Sequence, residues 1–344
     1  MTDSSYRAGI IGLGFIGAGD PVSGDVLGQR VEDLGGTHFG ALTAHSRVQL
    51  VAGSSRDEGR RRRFAERSGL RTYADWREML DTEALDIVSV ATYTNVRAEI
   101  AIGCAKKGIR AIYCEKPIAS TVADGEKMVV ACQTLGSLLV VNHNRRFESN
   151  YRQLRDQIRA GKLGRLTSVM VQWTSGRLGN VGTHMFDAVR MLTGREVVGV
   201  SGILDNAGKP DCRGDQFRDP GGWGLLRLED EIMANVSAPD YGMVPPQITI
   251  CGTEGRADVS LDIQIEYIDG ALESLPRTTG SNMDVAVDEI VADLDAGTHF
   301  SDLGKEAVRT LEVIAAFHVS AGRNGSWVEL PLQNTEKTIV VNSG

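Results

Sequence analysis

The sequence predicts two α/β domains of different texture, and three observations predict them. A glycine-rich turn, Gly12-Leu13-Gly14-Phe15-Ile16-Gly17, follows directly on an apolar segment with the character of a buried strand. Strands then alternate with helical patterns over some 145 residues, which is the signature of parallel βαβ units and a doubly wound α/β domain. From about Leu166 the texture changes to a run of strands with alternating polarity, which reads as a large, mostly antiparallel sheet.

The elements follow in order. RAGIIG (7–12) is the first strand and Val48–Gly53 the second. Between them, AGDPVSGDVLGQRVEDLGG reads as loop, and Thr37 to His45 as helix. Leu85–Ala91 is a further strand, followed by a helix from about Val96 to Lys107 that stops at Gly108. Ile109–Cys114 is the next strand. Thr121-Val122-Ala123-Asp124 resembles a capping box opening a helix toward Leu135, and Leu138–Asn142 closes the set. The second region carries LTSVMVQW, VVGVSGIL, GLLRLE, EIMANVS, QITICG, RADVSL and IQIEYI as strands. One helix, His184–Leu192, interrupts them early; helices over about Asp284–Ala296 and Asp302–Ala321 come near the end. The boundary falls near Arg146–Asn150, giving domains of 1–146 and 147–344.

Composition agrees with such a chain. With 344 residues and 42% hydrophobic content there is ample material for two cores. A formal net charge of -8 argues against a general nucleic-acid or membrane surface. The cysteines Cys104, Cys114, Cys132, Cys212 and Cys251 are widely spaced, with no CxxC or Cys/His cluster, so neither a disulfide framework nor a metal site is expected. The start lacks the pattern of a secretory signal and no run approaches bilayer length, so a cytoplasmic protein is expected. The sequons at Asn235 and Asn324 then read as chance matches.

The glycine turn has a specific physical use. Gly12 permits the tight turn, Gly14 lets backbone approach a pyrophosphate, and Gly17 allows close packing of helix on strand, while the helix start offers unpaired N–H groups. An NAD-binding strand two ends in an acidic residue for the ribose 2′-hydroxyl; here that place falls at Ser55, followed by Arg56. Serine leaves room and arginine attracts a 2′-phosphate, which favours NADP(H), with NAD(H) as the alternative. The competing reading makes Arg56 and Arg60–Arg63 a solvated basic helix face. Ser55 lies 38 residues beyond Gly17 instead of about 20, so residues 18–37 are an insertion. Its role is open between a lid or substrate-side loop and a surface loop or subunit contact.

Cys114-Glu115-Lys116-Pro117 sits just after a predicted strand, at the end that faces the ligand crevice in doubly wound sheets. On residue chemistry alone Lys116 reads as an ordinary strand-end lysine; desolvated, it would polarise a substrate hydroxyl. Pro117 fixes the exit of the chain, in either peptide isomer.

Taken together, GLGFIG, CEKPIAS, VVNHNRRF and GNVGTHMFDAVRMLTG, in this order, resemble the glucose–fructose oxidoreductase / inositol dehydrogenase / rhizopine-catabolism (Gfo/Idh/MocA) family over essentially the whole chain. The resemblance implies a Rossmann domain joined to an α/β domain whose large, mostly antiparallel sheet serves in homodimer or homotetramer contacts. It implies a sugar or polyol substrate and places the family's active-site lysine on Lys116. The family's Asp-x-Gly-x-His-x-x-Asp signature reads Asn180-Val181-Gly182-Thr183-His184-Met185-Phe186-Asp187, which puts the catalytic histidine at His184 and Asp187 one turn later. Histidine suits proton transfer near neutrality.

The resemblance further implies cofactor contacts at Gly12, Gly14, Phe15, Ile16, Gly17, Thr92, Asn95, Glu115 and Lys116, beside the Ser55-Arg56 pair. Substrate contacts are implied at Lys116, Asn144, Arg146, Asn180, His184 and Asp187, and Trp173 and Arg177 are added as candidate sugar-site linings. Arg146 pinning the domain junction and Trp173 in the core are the bland alternatives. Two departures stand out. Asn180 replaces an aspartate and cannot accept a proton, which leaves acid–base work to His184 and Lys116. In Thr92-Tyr93-Thr94-Asn95-Val96-Arg97, Tyr93 replaces the family's proline and Arg97 its histidine; Arg97 is open between binding an anionic substrate group and facing solvent, with solvent slightly favoured. His38, His45, His299 and His318 have no assignable partners. Three activities are compatible: an NADP-dependent sugar or polyol dehydrogenase, a glycoside-cleaving enzyme using transient oxidation and elimination, and a non-catalytic dinucleotide sensor. Retention of Lys116 and His184 counts against the third, and the Ser55-Arg56 pair argues mildly against the second.

Overall fold

The computed structural model describes residues 5–26, 34–205, 207, 211, 214–241 and 245–343. Its contacts divide the chain into one unit of residues 1–119, 124–142 and 280–307 and another of 120–123, 143–279 and 308–344. This differs from a single cut at 146, because residues 280–307 pack with the N-terminal strands. Cys212 lies outside the described residues; Cys104, Cys114, Cys132 and Cys251 are free thiols. Among the described residues no helix is long and apolar enough to cross a membrane.

The first unit is a parallel sheet of β1 (Tyr6–Ile11), β2 (Val48–Ser54), β3 (Arg71–Tyr73), β4 (Ile87–Val90), β5 (Ala111–Cys114) and β6 (Leu138–Val141), in the order β3-β2-β1-β4-β5-β6. Strands β4, β5 and β6 are buried at every residue, as a sheet covered on both faces requires. Strand order reverses between β1 and β4, and carboxyl ends at such a switch point form the ligand crevice.

The crossover from β1 to β2 is broken into three pieces: α1 (Phe15–Ala18), α2 (Pro21–Val26) and α3 (His38–Ala44). The loop expected after Ala18 therefore contains a helix at Pro21–Val26; proline and a first-turn position go together because proline has no N–H to bond. Residues 27–33 of the insertion lie outside the described residues. Helix α1 stops at Gly19 in the left-handed region, and α3 restarts at Thr37, whose hydroxyl accepts from the Gly40 amide at 3.0 Å. The arginines of α4 (Glu58–Ser68) hold the break: Arg63 donates to Asp20 at 2.6 and 3.0 Å, and Arg67 donates to the carbonyls of Ala18 and Gly19. The basic face of α4 is thus partly structural.

Helices α5 (Trp76–Thr82), α6 (Thr94–Lys106) and α7 (Val122–Leu135) complete the set up to β6. In the second unit α8 (Ser149–Arg159) begins at the end of the stretch read as a boundary. It buries Asn150, Tyr151, Leu154 and Ile158 on one stripe. The sheet, comprising β7 (Leu166–Gln172), β8 (Val197–Asp205), β9 (Gly221–Leu228), β10 (Met233–Ala238), β11 (Gln247–Gly252), β12 (Gly255–Val259), β13 (Ile263–Tyr267), β14 (Leu272–Leu275) and β15 (Val328–Glu329), runs β14-β13-β12-β11-β7-β10-β9-β8-β15. Every pairing is antiparallel except β7 with β10.

Helix α9 (Thr183–Thr193) packs against α8 and β7. Helix α10 (Asn282–Asp295) belongs to the first unit, where it packs on α3 and its Asp295 accepts from Tyr6 Oη at 2.6 Å and from both Nη atoms of Arg47. Helix α11 (Leu303–Ala321) sets Phe317 against β8 and β9. A Cβ on Gly202 would fall 2.3 Å from that ring and one on Gly224 2.6 Å, so both strand glycines make room for it. On the same sheet, Met170, Ile203, Trp223 and Leu225 are exposed.

Candidate active site

At the end of β1, Gly12 takes φ +104°, and a Cβ there would meet the Ala91 carbonyl at 2.4 Å. A Cβ on Gly17 would lie 1.9 Å from the Gly12 carbonyl, whereas Gly14, the residue before α1, has no atom nearer its Cβ position than Arg60 Nη1 at 3.8 Å. The close-packing glycines and the open one sit where a pyrophosphate cradle needs them. Phe15 is half-buried and Ile16 exposed.

Strand β2 ends at Ser54; Ser55 is half-buried and Arg56 exposed. Arg61 Nη1 donates to the carbonyls of both, at 2.6 and 2.9 Å, and so shapes this loop. The nearest carboxylate, Asp57, caps α4 through the Arg60 amide at 2.8 Å. Serine, not an acidic residue, stands in the ribose-reading place at 55, and Arg60 Nη1 is the atom nearest the open side of Gly14 among the described residues.

The ends of β4 and β5 are joined by an unexpected residue. Arg97 on α6 is 3% exposed rather than solvent-facing, and its guanidinium donates to the carbonyls of Thr92 and Pro117. A buried cation persists there because carbonyl oxygens and the nearby Glu115 compensate it. Thr92 is half-buried and Asn95 exposed in the first turn of α6. The Lys116–Pro117 peptide is cis.

Glu115 is buried. It accepts from Asn142 Nδ2 at 2.6 Å and the Lys116 amide at 3.2 Å, and sits 3.1 Å from His38 Nε2. His38 is fully buried, with Nδ1 2.6 Å from Ser89 Oγ and its ring against Tyr113. Burial pushes Glu115 up, but His38, Lys116 and Asn142 outweigh it and bring the pKa down to about 2. An ionised Glu115 only accepts, so Nε2 of His38 carries the proton. Lys116, half-buried, thus follows a carboxylate fixed on several sides. The sequence left His38 without an assignable partner and did not single out Asn142, although Asn142 lies within VVNHNRRF.

In the second unit the histidine motif begins with a π-helical turn, Leu178–Gly182, closed by the Gly182 amide on the Arg177 carbonyl at 3.1 Å. Such turns recur at functional sites. Asp219, 8% exposed, accepts from the Gly179 and Asn180 amides at 2.8 and 2.7 Å and pins that turn. Nothing in the sequence marks Asp219, which lies far along the chain. Asn180 and His184 are half-buried. Asn144 and Arg146 lie on the 3₁₀ turn Asn144–Phe147.

The assignment of Trp173 is corrected, and Asp187, Arg146 and Arg177 have partners within the second unit. Trp173 is 0% exposed, donates through Nε1 to the Gly176 carbonyl at 2.6 Å and packs edge-on against Phe186, so it is core and lines no sugar site. Asp187, 1% exposed, is held by Arg146 through 2.8 and 2.9 Å bonds and accepts from Thr310 Oγ1 at 3.2 Å. Arg177, half-buried, pairs with Asp211 at 3.2 Å and takes φ +59° after Ser175 and Gly176, also left-handed. His143, not chosen from NHNRRF, is 2% exposed and packs beside His184.

A parallel sheet in this order, with a glycine cradle at its switch point, defines a dinucleotide-binding fold. The chain belongs to the Gfo/Idh/MocA oxidoreductase family. Residues 6–143 match its "Oxidoreductase family, NAD-binding Rossmann fold" and residues 151–258 its "GFO/IDH/MocA C-terminal domain". Myo-inositol 2-dehydrogenase of Thermotoga maritima is 28% identical over 56% of this chain and 56% of its own length. The rhizopine catabolism protein MocA of Rhizobium meliloti is 30% identical over 54% of this chain and 57% of its own. The chain thus spans little more than half the length of these curated relatives. A solved levoglucosan dehydrogenase, in complex with NADH and levoglucosan, shares the fold with a TM-score of 0.79 at 20% identity, covering 96% of this chain and all of that one.

Proposed function

We propose that the chain is an NADP(H)-dependent oxidoreductase passing hydride between nicotinamide and a sugar, polyol or sugar-derived carbinol or carbonyl. The observation that carries it is Lys116, placed after a fully buried strand at the switch-point end of the sheet, behind a carboxylate locked by His38 and Asn142. The bound cofactor would supply the redox chemistry, accepting or giving hydride at its nicotinamide ring. Gly12, Gly14 and Gly17 would cradle its pyrophosphate, with Thr92, Asn95 and Glu115 at the neighbouring strand ends. In the oxidative direction His184 takes the substrate hydroxyl proton and Lys116 stabilises the developing alkoxide; reduction reverses both. Asn180 orients a hydroxyl without exchanging protons.

The preference for NADP(H) is supported by Ser55 in the ribose-reading place, by exposed Arg56, by the orientation of Arg60 and by the capping duty of Asp57. The open sheet face with Met170, Ile203, Trp223 and Leu225 supports a homodimer or homotetramer. The inositol, rhizopine and levoglucosan names of the relatives support a sugar or polyol substrate.

Calorimetric titration with NADPH and NADH, then a polyol and aldose panel with the preferred cofactor, tests this reading. Lys116→Ala and His184→Ala, folded and cofactor-bound, are each expected to lose about 1,000-fold in kcat or more. Turnover within a few-fold of wild type in either would overturn the assigned chemistry. NADH binding tighter than NADPH would overturn the cofactor preference, and Arg56→Ala is expected to weaken NADPH about tenfold and NADH little.

A further inference from the structure

We propose that His143 is a positioning residue for His184; this rests on the reading of His184 as the proton-transfer group. His143 lies two residues past β6, almost fully buried. It meets three residues in the first five of α9. Its Nε2 is 2.9 Å from Thr183 Oγ1, its Nδ1 is 3.6 Å from Asp187 Oδ1, and its ring stands at 86° to the His184 ring with centroids 6.0 Å apart. Both ring nitrogens therefore have a polar neighbour, which fixes the rotation of the imidazole about its own bond.

The supports behind it are themselves locked. Asp187 is gripped by Arg146 and by Thr310, and Thr310 in turn accepts from Arg190 Nη1 at 2.9 Å; Arg190 is paired with Glu196 through 2.8 and 2.9 Å bonds. The carboxylate beside Nδ1 calls for a proton there, leaving Nε2 to accept from the Thr183 hydroxyl. A ring so held is a rigid wall perpendicular to His184. It restricts the angles through which the His184 imidazole turns and keeps its proton-accepting nitrogen aimed in one direction. Holding a proton-transfer group in a narrow range of angles is worth a large part of its catalytic effect. Asp187, read from sequence as a substrate contact, acts here through His143 instead.

The experiment compares wild type, His143→Gln, His143→Phe and His184→Ala as full-length protein. It follows kinetics with the preferred cofactor and the substrate that emerges from the polyol and aldose panel, and the His184 imidazole resonances in ¹⁵N-labelled protein. His143→Gln removes the ring and is expected to lower kcat 10- to 100-fold, with KM and cofactor Kd within about twofold and the His184 resonances shifted. His143→Phe keeps a flat ring and is expected to recover part of the loss. The proposal is overturned if both variants keep kcat within twofold and leave the His184 resonances unmoved where His184→Ala has lost turnover. It is overturned equally if the only effects are on KM or on unfolding. If His184→Ala retains turnover, the proton-transfer assignment fails instead, and the resonances alone decide whether His143 orients the ring.

Discussion

Glu115 and Asp187 are both buried carboxylates beside a histidine, one in each unit, yet they are held by different chemistry. Around Glu115 the direct donors include an amide side chain, a backbone N–H and His38, and the charge of the nearby Lys116 helps hold the carboxylate ionised. Around Asp187 the guanidinium of Arg146 closes a two-point ion pair, with Arg190 close by. The difference teaches which charges are spent. The Glu115 cluster fixes a strand end with mostly neutral donors, whereas the Asp187 cluster holds its carboxylate with a guanidinium on the helix that carries His184.

The largest effect expected from breaking this contrast is at Asp187. Asp187→Asn removes the buried counter-charge from the Arg146 guanidinium and should cost about 3–5 kcal/mol in denaturant unfolding. A loss below about 1 kcal/mol would mean that the ion-pair reading is wrong and that Arg146 is open to a substrate.

A smaller effect, with a pH signature, belongs to Glu115. Its folded pKa is lowered to about 2 from the usual 4.5, so its contribution is fully present above about pH 4.5 and is lost as pH falls toward 2. That contribution is up to about 3 kcal/mol. Thermal unfolding of wild type and Glu115→Gln followed from pH 6 to 2.5 should converge on the acid side. Parallel curves would show that Glu115 is held by hydrogen bonds that do not need its charge.

The smallest is a control on the core. Trp173→Phe should cost about 1–2 kcal/mol through a lost Nε1 bond and lost volume, and leave the sugar KM within twofold. A tenfold rise in KM at unchanged stability would return Trp173 to the sugar site.

How far the sequence could be read follows from what each residue type advertises. Buried strands of the first unit are continuous apolar runs between turn signals, so β1, β2, β4, β5 and β6 were legible to within a residue or two. The insertion was legible from a distance, because Ser55 lies too far from Gly17 for one crossover helix. Arg97 was not, since an arginine on a helix speaks for solvent until the carbonyls of Thr92 and Pro117 are seen to accept from it. His143 was passed over for Asn144 and Arg146 because its partners, Thr183 and Asp187, lie some forty residues on. The membership of α10 was hidden for a similar reason: its apolar stripe shows that it packs, but not on what. Lys116 and His184 stood out through motif and resemblance, whereas the residues that hold their surroundings did not.

The interrupted crossover between α1 and α3 has a consequence for how such a chain can change. Both ends of the excursion over residues 19–37 are tied to the framework, by Asp20 on Arg63 and by Thr37 capping α3. Lengthening a segment closed in this way costs loop-closure entropy that grows only logarithmically, about 0.6 kcal/mol for each doubling. The first turn after the glycine cradle is therefore a cheap port: sequence can be added or removed there, beside the cofactor strand, without re-solving the packing of the sheet.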